Sequence, residues 1–277
     1  MAALIDFDRQ YMLFAAGKLR GKEEIKDDEL TQALNDAMRE WLSAKADYLG
    51  GKTPDEYFAD MDARALVDLL AEYCAAKMNV PEPLYGRISG EIECIPLLKA
   101  LTKDSAVCSA ARATALRLLC DMNADGLTEI CVAALLSDEE SAETAAEWLK
   151  HAGYQAVDAL KGHYDKADPD GKAAILDVLA CYPGVDATAD MLIERLYNDR
   201  DRRAMYANMA GRLGDERVLE PLKRLSQLTD MDYFDYKEIV NAIEMLGGDP
   251  GEEREFYGDP DYEALRVADT MPINNDD

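Results

Sequence analysis

A residue able to adopt the left-handed backbone conformation recurs at nearly constant spacing through the second half of this 277-residue chain. Glycine follows a helical pattern at intervals of 31, 30 and 33 residues, at Gly153, Gly184, Gly214 and Gly247. One interval upstream stands Asn123, and asparagine is the residue that next best tolerates this conformation. Because such residues end α-helices, the spacing predicts tandem copies of one helical unit.

Two further markers have the same period. Aspartate recurs in the polar breaks between these helix ends, with spacings of 34, 30, 31 and 31 residues, at Asp104, Asp138, Asp168, Asp199 and Asp230. We predict that these aspartates are helix N-caps. The sequences IPLLKAL around Pro96 and EPLKRL around Pro221 lie 125 residues apart, which is close to four periods.

One period of about 31 residues accommodates two helices and two tight turns. In the stretch Arg212–Leu225, RLGDERVLEPLKRL, Gly214 is predicted to end one helix and Asp215 to cap the next. Alternating runs of Val, Ile and Thr are missing, so almost no sheet is expected. The predicted fold class is therefore all-α, built from stacked antiparallel helix pairs that bury one another's apolar faces.

The segment from Ala187 to Leu228 resembles the short HEAT-like repeats that also occur in phycobilin lyases (the PBS-lyase type) and in many bacterial scaffold proteins. In that pattern the first helix carries a proline near its start and the second is alanine-rich and ends in Leu-Gly-Asp. The resemblance covers about residues 91–248 and implies a right-handed α-solenoid of about five HEAT-like helix pairs. It is informative about architecture and nearly silent about activity.

Three regions are predicted from where this period holds: an α-helical N-terminal cap region (1–90), the HEAT-like repeats (91–248) and an acidic C-terminal extension (249–277). The extension contains ten acids and two arginines, with a short helix expected near 262–268.

Within the cap region, helices are expected near 6–19, 28–46 and 63–78, followed by a linker from Pro81 to Gly90. Thr53 and Pro54 are expected to cap and start a further helix. A Gly-Lys-Thr triplet precedes Pro54, but Ala46 stands where a phosphate loop needs glycine, and no strand precedes it.

The formal net charge is −26, from 56 acidic and 30 basic residues. This balance argues against binding to nucleic acid or to anionic membranes, because both depend on basic residues. It favours a protein partner, and a basic protein would be attracted by this charge. The absence of a signal peptide, of a long apolar run and of a C-x-x-C pair predicts a cytoplasmic protein.

No catalytic residue, cofactor site or metal site is predicted. HEAT-type iron hydroxylases use His-Glu pairs as ligands, whereas the two histidines here are followed by alanine and tyrosine, at His151 and His163. Cysteine and histidine do not cluster at zinc-ligand spacing. A DNA-glycosylase-like enzyme would need a basic concave surface, which the net charge opposes.

The candidate partner-binding residues lie in two clusters and at one isolated tryptophan. Between Arg195 and Arg224, eight basic residues face five acids, and Arg202, Arg203, Tyr206 and Arg212 are the candidates there. In the alternative interpretation, Arg202 and Arg203 pair with Asp199, Asp230 and the acids of neighbouring turns.

The second cluster contains Tyr233, Phe234 and Tyr236, which either anchor a partner or cover the end of the repeats beneath the acidic extension. The last candidate, Trp148, is interpreted chiefly as core filling.

Together these features predict a non-enzymatic scaffold or adaptor that holds a protein partner on its concave face. The first alternative is an acidic immunity or inhibitor protein that binds a basic toxin or nuclease. The second alternative is an enzyme related to pigment lyases or DNA glycosylases. The sequence leaves the partner, the pathway and the oligomeric state open.

Overall fold

A computed structural model describes residues 4–20, 27–137 and 139–270. Within these ranges the chain forms sixteen α-helices and no β-strand, which confirms the prediction of an all-α protein. The chain divides into two compact units, Met1–Ala145 and Ala146–Asp277. These units are defined by contacts, whereas the sequence boundaries at 90/91 and 248/249 rest on the repeat period and stay predictions.

The first unit contains helices α1 to α8 and the beginning of α9. Their bounds are α1 Phe7–Leu19, α2 Asp27–Leu42, α3 Pro54–Tyr57, α4 Ala63–Ala75, α5 Glu82–Ser89, α6 Cys94–Leu101, α7 Ser109–Asp121, α8 Thr128–Ser137 and α9 Glu139–His151. The predicted start of α3 is confirmed, because Thr53 and Glu56 form a reciprocal capping box. The helices expected near 6–19, 28–46 and 63–78 are α1, α2 and α4.

The prediction of a linker from Pro81 to Gly90 is wrong. The segment forms α5, in which Pro81 is the N-cap residue and Pro83 lies in the first turn. Proline is tolerated there because the first backbone N–H groups of a helix have no intrahelical acceptor. Leu84 and Ile88, four residues apart, are fully buried and anchor α5 to the unit.

The second unit contains the end of α9 and helices α10 to α16. Their bounds are α10 Gln155–Tyr164, α11 Pro169–Leu179, α12 Asp186–Asn198, α13 Arg203–Leu213, α14 Leu219–Leu225, α15 Tyr233–Met245 and α16 Pro260–Thr270. Short 3-10 turns, Arg200–Arg202 and Glu216–Val218, precede α13 and α14. The helix expected near 262–268 is α16.

The recurring left-handed residues are confirmed as helix-ending positions. Asn123 has φ 47°, and the four glycines Gly153, Gly184, Gly214 and Gly247 have φ 80°, 82°, 71° and 72°. Gly214 is itself the C-cap of α13. Each is followed by a chain reversal, so the spacing read from the sequence corresponds to a repeated turn.

The prediction that the recurring aspartates are N-caps holds for Asp168, which accepts a first-turn backbone N–H at 2.7 Å. Asp199 is the N-cap residue of the 3-10 turn Arg200–Arg202, but its carboxylate accepts from the Tyr206 hydroxyl and not from a first-turn backbone N–H. The prediction is wrong for Asp230, whose carboxylate accepts from the Arg200 side chain. It is also wrong for Asp104, which lies in a turn before the N-cap of α7. Asp138 lies outside the described residues.

Within the second unit, polar contacts join residues that are about one period apart in sequence. Asp177 of α11 lies 3.2 Å from Lys150 of α9 and 2.6 Å from Arg212 of α13. Arg217 similarly reaches back to Asp186, at 3.3 Å. Because these contacts span neighbouring helix pairs, they tie each pair to the next.

Small residues allow α13 and α15 to approach closely. A Cβ atom added to Gly211 would lie 3.1 Å from the Cα atom of Ala242 and 3.0 Å from the sulfur of Met245. Ala207 and Ala210 of α13 are fully buried. The alanine-rich composition of this helix is therefore a packing requirement as well as a helix-forming one.

Replacing glycine by alanine at two positions of the second unit is expected to change the free energy of unfolding in opposite directions. Gly214→Ala is expected to lower the free energy of unfolding by about 1 kcal/mol, because alanine is strained at positive φ. Gly162→Ala, in the last turn of α10, is expected to raise it by about 0.5 kcal/mol. An added Cβ meets no atom within 4 Å at either site, so only the backbone conformation differs. Urea unfolding curves measure both; two changes of the same sign would contradict the assignment.

The contacts of Asp177 predict a pH-dependent contribution to stability. Burial raises the pKa of Asp177, but Arg212 and Lys150 together outweigh burial and hold the pKa below its ordinary value of 3.8. Because the folded-state pKa is the lower one, this contribution is complete above the unfolded-state pKa and is lost as the pH falls through the folded-state pKa.

Asp177→Asn is therefore expected to lower the free energy of unfolding by about 0.5–1 kcal/mol at neutral pH, since the pair is partly exposed. The difference from the native chain should shrink progressively below about pH 4. Asp158→Asn, at an exposed position of α10 with no ion pair among the described residues, is the matched control. A difference that persists unchanged at acidic pH would refute this role for the carboxylate.

Candidate functional site

The predicted arginine and tyrosine patch in the second unit is largely buried. Arg203 is 3% exposed, and its Nε donates to the carbonyl of Leu196 at 3.1 Å. Its guanidinium also lies 3.8 Å from the carboxylate of Asp235, which accepts the backbone N–H of Ala204. Burial raises the pKa of Asp235, although Arg203 and this N–H act in the opposite direction.

Tyr206 is fully buried, and its hydroxyl donates to Asp199 at 3.1 Å. Burial, with the charge of Asp199 as a second cause, raises the pKa of Tyr206 to about 12. The prediction that Arg203 and Tyr206 contact a partner is therefore corrected. The side chains of Arg203 and Tyr206, near the start of α13, fill the space between neighbouring helices. A partner protein therefore cannot reach them.

Arg202 and Arg212 are partly exposed and pair with acids about one period upstream. Arg202 forms a close ion pair with Asp170, and Arg212 pairs with Asp177. The interpretation in which arginines of this segment pair with acids therefore agrees with the structure better than partner binding does. The acids that pair with Arg202 and Arg212 are not the nearby turn acids that we expected. These partners could not be identified from the sequence, because they lie about one period upstream of the arginines.

The aromatic residues at the start of α15 pack against the C-terminal extension. Tyr233 and Tyr236 lie 5.5 and 4.9 Å, between ring centroids, from Phe256. The guanidinium of Arg254 lies 5.4 Å from the ring centre of Tyr236 and 4.9 Å from that of Phe256. These contacts agree with the covering interpretation, and Phe234 remains 59% exposed.

Trp148, the last predicted site residue, is half-buried on α9. The structure thus brings Arg203, Tyr206 and Arg202 into neighbouring positions but uses them for packing. None of the seven predicted residues lines a described cavity of the protein.

A cavity of about 490 Å³ opens in the first unit, in a region where no site was predicted. We call it the α8 pocket. It lies between the α6–α7 turn, α7, α8 and the start of α9, and its lining residues are Thr102, Lys103, Ser105, Arg112, Leu116, Glu129, Ile130, Ala133, Ala134, Ser137 and Ser141. Its size is within the range of small-molecule sites, roughly 300–1,000 Å³.

The floor of the α8 pocket is apolar and its edge is polar. Leu116 and Ile130 are buried, at 1% and 7% exposure, whereas Lys103, Ser105 and Glu129 are exposed. Among the described residues that line the cavity, Lys103 and Arg112 are basic and Glu129 is acidic. This combination of an apolar base and a few polar groups is typical of ligand sites.

The α8 pocket exists because one face of α8 carries small side chains. Ala133, Ala134 and Ser137 lie within one turn of each other and face the cavity. The Ser137 hydroxyl donates to the carbonyl of Ala133 at 2.6 Å, which keeps it folded against the helix. The sequence contains this small-residue face, but only packing reveals that no other helix fills the space beside it.

Two other kinds of site are not found among the described residues. No described helix combines the length and hydrophobicity that crossing a membrane requires. No three side chains among the described histidines, cysteines, aspartates and glutamates converge in a way that could hold a metal ion.

No protein-family model matches the chain, and no curated protein matches it. Among solved structures, the chain is similar to human deoxyhypusine hydroxylase in complex with glycerol, with 14% sequence identity and a TM-score of 0.34. The alignment covers 87% of this chain and 96% of that chain. A likeness at this TM-score carries no ligand, substrate or reaction over to this protein.

The comparison corrects the predicted function, because the similar structure is that of an enzyme. The predictions of a non-enzymatic adaptor and of an immunity or inhibitor protein are therefore withdrawn, together with the exclusion of enzymes. The exclusion of enzymes relied on missing residues of particular known enzyme sites. It does not apply to an enzyme site of another kind.

Proposed function

We propose that this chain is a HEAT-like helical repeat protein of the PBS-lyase type that binds a small polar molecule in the α8 pocket. The repeat assignment is supported by the evenly spaced left-handed turns and by polar contacts that join positions about one period apart. The binding role is supported by the chemistry of the α8 pocket, which is separate from the repeat turns.

The observation that carries the binding role is a cavity of ligand size that combines an apolar floor with charged groups of both signs. Leu116 and Ile130 form the floor, and Lys103 and Glu129 are exposed at the edge. A concave site with low-dielectric walls concentrates the field of such charges. A small polar molecule bound in the α8 pocket would therefore gain both apolar and charged contacts.

Filling the α8 pocket provides the direct test. Ala134→Leu adds a branched side chain at a half-buried position of the pocket wall. In a screen of small carboxylates, phosphates, amines and neutral polar molecules, followed by calorimetry, we expect at least one class to bind the native chain. Ala134→Leu should weaken that binding by about tenfold or more, equivalent to about 1.4 kcal/mol.

Ala16→Leu makes the same change at an exposed position of α1 outside the α8 pocket, and it should bind as the native chain does. Circular dichroism establishes that both variants are folded. Equal affinity in the native chain and Ala134→Leu, or no binding by any class at millimolar concentration, would refute the proposed function.

We also propose a basic protein as a partner for the acidic surface, whether as substrate or as regulator. The net charge of −26 supports this proposal, because opposite charge accelerates association. It does not depend on the chain being an adaptor.

The association rate with a folded basic protein, measured by stopped flow, is expected to fall by about tenfold or more when the salt is raised from low to high concentration. An acidic protein of similar size is the control and should not associate at either salt concentration. Equal rates for the two proteins would contradict electrostatic attraction.

A further inference from the structure

We infer that the ligand of the α8 pocket is a small zwitterion with an apolar side chain, either a free amino acid or a short peptide. This inference rests on the proposed binding function and specifies its ligand class. Three features of the α8 pocket carry it: an unpaired cation, an unpaired anion and an apolar floor.

The two charges are those of Lys103 and Glu129, whereas the third charged residue of the lining, Arg112, already donates to the carbonyl of Val107 at 2.6 Å. Both are exposed at the α8 pocket, and neither forms a hydrogen bond or ion pair through its side chain with any described residue. No ion pair joins them to each other within 4.0 Å, although they line the same cavity. Elsewhere in the first unit, Lys52 pairs with Asp60 and Arg87 with Glu91.

A single molecule with an ammonium and a carboxylate group satisfies both charges at once. Its carboxylate would accept from Lys103, and its ammonium would donate to Glu129. A purely anionic molecule would leave Glu129 unpaired beside it, and a purely cationic one would leave Lys103 unpaired. Like-charge contacts of this kind disfavour the wrong ligand.

The floor of the α8 pocket favours an apolar side chain on the ligand. Leu116 and Ile130 form a buried floor, and Ala133 and Ala134 leave room above it. Covering this floor removes apolar surface from water. The cavity volume of about 490 Å³ also accommodates a molecule larger than one compact ion, which is consistent with an amino acid or a peptide of a few residues.

The test compares four related probes by calorimetry with the full chain. L-leucine and the dipeptide Leu-Leu carry both charges, N-acetyl-leucine lacks the ammonium, and leucinamide lacks the carboxylate. We expect leucine or Leu-Leu to bind at least about tenfold more tightly than either singly charged probe. A preference between the first two distinguishes a free amino acid from a peptide.

Two variants at the edge of the α8 pocket then test which charged group of the ligand each residue binds. Lys103→Gln should remove the advantage of leucine over leucinamide, and Glu129→Gln should remove its advantage over N-acetyl-leucine. Lys161→Gln and Glu220→Gln make the same changes at exposed positions outside the α8 pocket and should leave all affinities unchanged.

Failure of this inference differs from failure of the proposed function. Binding of N-acetyl-leucine or leucinamide as tight as that of leucine, or binding of only another class in the broader screen, overturns the zwitterion while the α8 pocket remains a ligand site. Absence of binding by every class, with no effect of Ala134→Leu, overturns both.

Discussion

Backbone reversal through left-handed residues is the constraint on which the second unit depends. Gly153, Gly184, Gly214 and Gly247 all have positive φ and are evenly spaced. Because the turns are evenly spaced, corresponding residues of successive helix pairs occupy equivalent positions. A side chain can therefore contact a residue about one period away in the sequence. The contacts of Asp177 with Lys150 and Arg212 are a direct result.

This constraint also explains why the arginine-rich segment is structural. A buried guanidinium needs acceptors, and Arg203 obtains them from Leu196 and Asp235. Tyr206 and Asp199 satisfy each other in the same way. Residue types that are common in binding sites therefore serve packing here, because repeat stacking buries the helix start that carries them.

A ligand site in such a protein consequently requires a place where the packed helices leave a cavity. The α8 pocket is such a place: Ala133, Ala134 and Ser137 give α8 a flat face, and no described element covers it. Lys103 and Glu129 remain exposed beside that face without partners among the described residues. In an acidic chain, a cavity with this balance of charges is chemically distinct from the surrounding surface.

The predicted adaptor role relied on the idea that a helical repeat without a known catalytic motif must be a scaffold. Architecture alone does not support that step, since function depends on the particular site carried by a fold.

The sequence by itself determined the all-α class, the period and the turn positions, because helix ends depend on local backbone preferences that Gly214 or Asn123 expresses without tertiary help. It also located α1, α2 and α4 and the capping of α3 by Thr53. Local signals failed where one residue type serves either of two purposes. Prolines open α5 where a linker was expected, and Asp230 accepts from an arginine side chain instead of capping a helix.

Only the tertiary structure decided which side chains are accessible. Burial of Arg203 and Tyr206 and the opening beside Ala134 both depend on contacts between segments distant in sequence. The periodicity of a helix identifies its apolar face, but it does not reveal whether a neighbouring helix covers that face completely or leaves a cavity. For this physical reason the repeat could be predicted from the sequence, whereas the α8 pocket could not.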